Sequence, residues 1–221
     1  MARGTFFGTV HSHRDLHLVQ AKVDIEPAKP KTNFIDIPGA DGSKDFSESP
    51  AGRVVFKTRK ITWTFKLYPG DKWATKYTQV SNAINGKQCR IKMDDDALFC
   101  YVGRVSVDKF ASDSILHTIT VTAICQPYKL YASETKSAVV TLTASEYTDL
   151  KVMSGRMPTI PTITVTAATT IQWNGNTYSL AAGTHKILDV LFTEGSNVIR
   201  AKLTNSSSTG TIQCTYQEGA L

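Results

Sequence analysis

The sequence has few features that point to catalysis. It contains no GxSxG nucleophile motif, no phosphate-binding loop and no HExxH zinc motif. Only four cysteines are present, and none of them lies in a CxxC pair or shows zinc-ligand spacing. These absences argue against the common hydrolases and nucleotide-binding enzymes. We therefore expect a protein that is not an enzyme and that uses no cofactor and no metal.

Long apolar stretches are missing as well. No run approaches the roughly 18 residues that a membrane-spanning helix needs, and the first residues lack the apolar segment of a secretion signal. We expect a chain that is made and folded in a cytoplasm, has no membrane contact and keeps its cysteines as free, buried thiols. Cys89 and Cys100 could face each other across a hairpin, so one disulfide is the alternative.

Charge is scarce and unevenly distributed. The 221 residues are 20% charged and 41% hydrophobic, which is the composition of a folded chain. Residues 1–130 hold 19 Lys and Arg against 13 Asp and Glu, whereas residues 131–221 hold six of each, so the first part carries the whole net charge of +6. This shift predicts two domains, 1–130 and 131–221. A basic first domain fits a solvated surface, an acidic partner or nucleic acid.

Alternating apolar residues predict strands through most of the chain. In residues 61–67, the apolar side chains of one face alternate with Thr and Lys, which is the period of a half-buried strand. The Asn174-Gly175 pair lies between two strand-forming segments and predicts a type I′ hairpin turn. Short strands separated by regular turns are typical of a small β-sandwich or jelly roll. The fold class is therefore all-β.

One segment has helical periodicity instead. Apolar residues recur there at spacings of four, three and four, which places them on one face of a helix: Trp73, Tyr77, Val80 and Ile84. Asp71 is the expected N-cap, and Asn85-Gly86 is expected to end the helix with a left-handed residue. We predict one α-helix within a β-rich first domain.

Several polar and aromatic residues are candidate sites, each with a plainer explanation. His11, His13 and His17 would share one face of a strand and could bind a metal, or they are ordinary polar residues. Three adjacent carboxylates between two strands could bind a cation, act in catalysis, form a turn or dock onto a basic partner: Asp94, Asp95 and Asp96. Trp173 and Tyr178 could stack on a sugar or belong to the core of the second domain.

Segments along nearly the whole chain resemble one protein family, the distal tail proteins of bacteriophages with long, non-contractile tails and of related prophages. The order and spacing of these segments carry the resemblance: GTVHSHRDL (8–16), PAKPKTN (27–33), IPGADGS (37–43), RKITWTF (59–65), the helix from Trp73 to NGK (85–87), IKMDDD (91–96), FCYVGR (99–104), AICQPYK (123–129) and TYQEGAL (215–221). The chain departs from the family at His17, where relatives often carry Gly.

The resemblance implies a structural role in a virion. Proteins of this family form a ring at the tail tip, usually a hexamer, that joins the tail tube to the tail hub and helps to position receptor-binding or adhesion proteins. It also implies an N-terminal β-sandwich with one helix, which builds the ring, and a C-terminal galectin-like sandwich outside it. DNA would be only cargo passing through the lumen. The alternative function is a module that recognises host cell-wall sugars through the C-terminal domain.

The physical character of the sequence suggests where such a ring would be held together. Residues 27–50 are rich in Pro, Gly, Asp and Ser and predict a long loop, which is unusual in a compact domain unless it has a function. We expect this loop to contact a neighbouring subunit or the tube. The predicted assembly residues are its centre and the acidic turn: Pro38, Gly39, Ala40, Asp41, Gly42, Ser43, Asp94, Asp95 and Asp96.

Overall fold

The computed structural model describes residues 3–112, 117–205 and 209–221. It forms two compact units, Met1–Lys129 and Leu130–Ala220. Nearly all of the regular structure is β, which confirms the predicted fold class. The described part of the chain contains no helix with the length and apolar character that a membrane crossing requires.

Seven strands of the first unit make one antiparallel sheet in the order β2-β1-β7-β8-β9-β6-β3. Two further strands, β4 and β5, pair only with each other. The unit contains β1 (Thr5–Phe7), β2 (Val10–His11), β3 (Leu18–Ile25), β4 (Phe34–Asp36), β5 (Ser43–Asp45), β6 (Arg59–Leu67), α1 (Trp73–Ile84), β7 (Gln88–Met93), a 3₁₀ turn (Asp94–Asp96), β8 (Phe99–Ser112) and β9 (His117–Cys125).

The core of the first unit is formed by strands in which apolar and polar residues alternate. The inward residues of β6 are buried while Lys60 and Lys66 between them are exposed. Trp63 and Phe65 are completely buried, and Phe7 packs edge-on against both rings. Burial of such large side chains is the main favourable term for this unit, because each removes a large apolar area from water.

Helix α1 packs against β8 and buries Val80 and Ile84. The predicted face is therefore correct, although Trp73 stays 47% exposed, with its ring stacked on Phe110. The predicted N-cap is wrong: Lys72 occupies that position, and no side chain caps the helix. The left-handed residue after the helix is Gly86, as expected, with φ of 74°.

The second unit contains two antiparallel sheets. One has the order β11-β19-β14-β17 with β12 also on β19, and the other has the order β13-β18-β15-β16. The strands of these sheets are β11 (Thr135–Lys136), β12 (Val140–Leu142), β13 (Thr148–Ser154), β14 (Thr162–Val165), β15 (Thr169–Trp173), β16 (Asn176–Leu180), β17 (Gly183–Lys186), β18 (Gly195–Leu203) and β19 (Gly210–Tyr216). Two short strands outside them pair with each other, β10 (Lys129–Tyr131) and β20 (Gly219–Ala220).

Inward residues of both sheets share one core, so the second unit is a two-layer β-sandwich. Ile163 and Cys214 come from one sheet and Ile171 and Ile199 from the other, and all four are completely buried. The Asn-Gly prediction is confirmed, because Trp173 pairs with Asn176 across a two-residue turn whose residues both have positive φ.

Candidate assembly surface

An exposed hairpin connects β3 to β6 in the first unit, and we call it the arm (residues 27–58). Strands β4 and β5 form its outer part, with Ile35 opposite Lys44. Nearer the sheet, the Lys31 amide donates to the Val55 carbonyl at 2.7 Å, and the Lys57 amide donates to the Lys29 carbonyl at 2.8 Å. The predicted long loop is thus a paired hairpin.

The arm presents apolar side chains to solvent. Every residue from 29 to 46 is exposed, and the large apolar side chains that remain accessible are Phe34 (59%), Ile35 (47%), Phe46 (39%), Val54 (39%) and Ile37 (37%). A two-stranded hairpin is only marginally stable in water by itself. Its outer strands also have free backbone edges that can pair with another chain. The arm therefore has the character of a docking element.

The predicted interface residues 38–43 form the tip of this arm. Gly39 and Gly42 have φ of 82° and 72°, in the left-handed region that glycine tolerates and that closes the hairpin here. The Ala40 amide donates to the Ile37 carbonyl at 3.1 Å, and the Ser43 hydroxyl donates to the Asp36 carboxylate at 2.5 Å. A contact between this tip and another protein stays a prediction.

Asp94 has a structural role that the sequence did not reveal. Its Oδ2 accepts hydrogen bonds from the Gly4 amide at 2.9 Å and from His11 Nε2 at 3.1 Å. The Arg14 amide donates to His11 Nδ1, so the ring proton lies on Nε2 and points at Asp94. A Cβ added to Gly4 would lie only 2.4 Å from the His11 ring. Asp94 thereby fixes the N-terminal segment to the sheet.

The other two carboxylates of the acidic turn also have partners in the same unit. Asp95 forms an exposed ion pair with Arg3 at 3.2 Å. Asp96 accepts a hydrogen bond from Lys129 Nζ at 2.9 Å, and the same ammonium lies 4.0 Å from the centre of the Phe99 ring. The turn therefore joins segments distant in sequence, and a contact with a basic partner stays a prediction.

The three histidines do not lie on one strand. Strand β2 ends at His11, and residues 12–16 form a turn before β3, so the expected shared face is wrong. Within this turn, two hydrogen bonds lower the pKa of Asp15 to about 2. The Arg14 guanidinium has the larger effect and the His11 amide the smaller one. Among the described residues, no group of three or more His, Cys, Asp or Glu side chains could hold a metal ion.

His17 has φ of 51°, in the left-handed region, and its side chain is exposed. A residue with a Cβ is strained there by about 1–2 kcal/mol, and this is the position where the resembling family often has Gly. We expect His17→Gly to raise the free energy of unfolding by about 0.5–1 kcal/mol, after the greater entropy of glycine in the unfolded chain is subtracted. Urea denaturation measures this change. His17→Ala is the control, and an equal gain from it would show that the imidazole, not the backbone, is responsible.

The two candidate sugar-binding aromatics are placed differently from each other. Trp173 is only 7% exposed and packs against Phe192 in the core, so its ring offers no open face for a sugar. Tyr178 is half-buried, and its hydroxyl donates to Asp189 at 3.1 Å. Of the two interpretations, Trp173 therefore fits the core, and a role of Tyr178 in sugar binding stays a prediction.

The cysteines are all free thiols. Cys89 lies opposite Gly103 in the sheet, so it is not paired with Cys100 as the disulfide alternative required. Burial raises the pKa of Cys125 and of Cys214 to about 12, because the thiolate would lose its hydration. Both thiols therefore stay protonated and act as small apolar core residues.

The chain matches no protein-family model, and no curated protein matches it. It is similar to a solved structure, the Dit protein (gp 19.1) of phage SPP1, described as a paradigm of the hub adsorption apparatus in phages that infect Gram-positive bacteria. The TM-score is 0.66 at 14% sequence identity, and the match covers 100% of both chains. From end to end, the chain therefore has the fold of this Dit protein.

Proposed function

We propose that the chain is a distal tail protein, a structural component of a phage tail tip that forms a ring, with six copies as the expected number. The ring joins the tail tube to the tail hub and supports host-adhesion proteins, and DNA passes through it. The full-length match to the fold of a hub protein is the observation that carries this proposal. The motifs along the sequence support it independently, because they follow the order of that family.

The arm supports the proposal at the level of physical chemistry. A closed ring needs a heterologous interface, in which one surface of each copy binds a different surface of the next. The arm supplies one such surface, with exposed apolar side chains and unpaired strand edges on an extended hairpin. We propose that the arm contacts the neighbouring copy or the last ring of the tube. Phe34 and Ile35 are already about half covered, so burial of the remainder there would contribute about 1–1.5 kcal/mol for each side chain.

The double variant Phe34→Asp/Ile35→Asp tests this proposal. Both side chains are exposed, so the fold should stay intact while a charge enters the interface. We expect the mass of the oligomer in solution to fall to that of the monomer, or assembly to fail when the ring forms only on the tail. Analytical ultracentrifugation measures the first effect, and electron microscopy of tails made with the variant gene measures the second.

The matched control is Met153→Asp/Leu188→Asp in the second unit. These side chains are 67% and 74% exposed, so this variant has the same charge change and loses more accessible apolar surface. We expect it to assemble normally. An arm variant that forms the same oligomer and the same tails as the wild type would refute the role of the arm. If both variants fail equally, loss of surface apolarity in general would be the cause.

A further inference from the structure

The outer face of the large sheet is polar and basic. Register places Lys60, Ile124 and Arg104 in one row across β6, β9 and β8, and Thr64, Thr120 and Lys109 in another. Lys66 lies at the end of β6 opposite Thr118. The side chains on β6 and β9 point away from the buried core, because they alternate with buried residues, and Arg104 likewise lies between buried residues. Lys109 follows a β-bulge, is exposed and pairs with Thr120, which places it on the same face. We call this surface the threonine–lysine face.

The positive charges of this face outnumber the negative ones. Lys60, Lys66 and Lys109 are exposed, and within the described residues none of them forms an ion pair. Three carboxylates lie nearby: Asp24 pairs with Lys22 at 2.7 Å, Asp108 accepts a hydrogen bond from Thr122 at 2.5 Å, and the exposed Glu26 donates its amide to the Lys60 carbonyl at 3.0 Å. Against them stand five cations of the same region: Lys22, Lys60, Lys66, Arg104 and Lys109. The face therefore carries an excess of cations between rows of hydroxyl groups.

The side chains of this face indicate which class of partner it binds. Specific protein interfaces have an apolar centre, and on the strands of this face only Ile124 is a large exposed apolar residue among the described residues. Lysine, arginine and hydroxyl side chains are instead the groups that contact phosphates in nucleic-acid complexes. Lys60 and Lys66 are six residues apart on one strand, about 20 Å, a distance over which duplex DNA presents about twelve phosphates.

We propose that the threonine–lysine face binds the phosphate backbone of duplex DNA without sequence preference. The proposal rests on the proposed function for the encounter with DNA, because a tail-tip ring lies on the path of the genome. The binding itself needs only the isolated protein, so it can fail while the tail-tip role stands. Weak contact through mobile lysines would also let DNA slide, as non-specific complexes do.

The test is fluorescence anisotropy with two labelled 20-base-pair duplexes of unrelated sequence. We expect equal affinities for both, and a slope of log K against log salt of about −3.6 for four phosphate contacts. That slope lowers the affinity by about 10²-fold between 50 and 200 mM salt. The triple variant Lys60→Gln/Lys66→Gln/Lys109→Gln should bind at least tenfold more weakly at 50 mM salt, with a slope of about −0.9.

The charge-matched control is Lys136→Gln/Lys151→Gln/Lys186→Gln, which removes three exposed cations from the second unit. We expect it to bind DNA like the wild type. No binding by the wild type at 50 mM salt, or an equal loss in the two triple variants, would overturn the proposal. Polyglutamate that competes as well as unlabelled DNA would also overturn it, in favour of an acidic protein partner.

Discussion

Replacing Gly103 with alanine should destabilise the first unit by about 3 kcal/mol, because a side chain at this position overlaps the neighbouring strand. Gly103 lies in the middle of the sheet, opposite Cys89 on one side and Cys125 on the other. A Cβ there would lie 2.6 Å from Cys125 Sγ, 2.6 Å from the Ile124 carbonyl oxygen and 2.9 Å from the Cys125 Cα. Two of these atoms belong to the backbone and cannot move without disturbing β9. Urea denaturation measures the change.

A second variant shows which clash matters. Adding Cys125→Ala removes the sulfur but leaves the two backbone contacts, so we expect Gly103→Ala/Cys125→Ala to recover none of the lost stability. Gly155→Ala is the control substitution, since its Cβ would meet no atom closer than 3.5 Å and should change stability by less than about 0.5 kcal/mol. Recovery in the double variant would mean that the sulfur alone requires a glycine here.

Local patterns predicted much of this fold because their causes are local. The alternation in β6 reports which residues face the core, since successive side chains on a strand point in opposite directions. Helix α1 follows from apolar residues at helical spacing, and the Asn174-Gly175 turn follows from two residues that tolerate positive φ. None of these predictions needed a partner that is distant in sequence.

The sequence left alternatives open where a distant residue decides the outcome. Asp94 looks like any turn residue, yet its partners Gly4 and His11 are 90 and 83 residues away. Trp173 lies in a strand whose residues alternate between two faces. The sequence of that strand does not show which face the other sheet will cover. Periodicity gives the alternation of a strand, whereas tertiary packing decides which side becomes the core.

The arm was predicted in part from its sequence and in part was not. Its composition predicted an irregular segment with a function, and the glycines at its tip do close a turn. The pairing of Phe34 with Asp45 and of Ile35 with Lys44 was not predicted, because neither strand has an alternating apolar face to reveal it. Every one of those side chains is exposed. Apolar and polar residues alternate along a strand only when one of its faces is buried. Neither face of this hairpin is buried within its own chain, so its sequence shows no such alternation.

The domain boundary leads to the second large effect that we expect. We propose that the two compact units fold as independent domains, and a matched pair of core truncations tests this. Phe65 in the first unit and Phe192 in the second are both completely buried, and each belongs to a separate core cluster. Truncating either ring to alanine should cost about 3–5 kcal/mol in its own unit, because a large cavity is left behind.

Hydrogen exchange read by mass spectrometry separates the two units in the intact chain. In Phe65→Ala, peptides from residues 3–112 should lose protection while peptides from residues 131–205 keep that of the wild type, and Phe192→Ala should give the reverse pattern. Because the substitution is the same and both sites are fully buried, each variant is the control for the other. If one truncation lowers protection equally in both units, the chain unfolds as a single cooperative unit. The boundary near residue 130 would then not separate two independently folding domains.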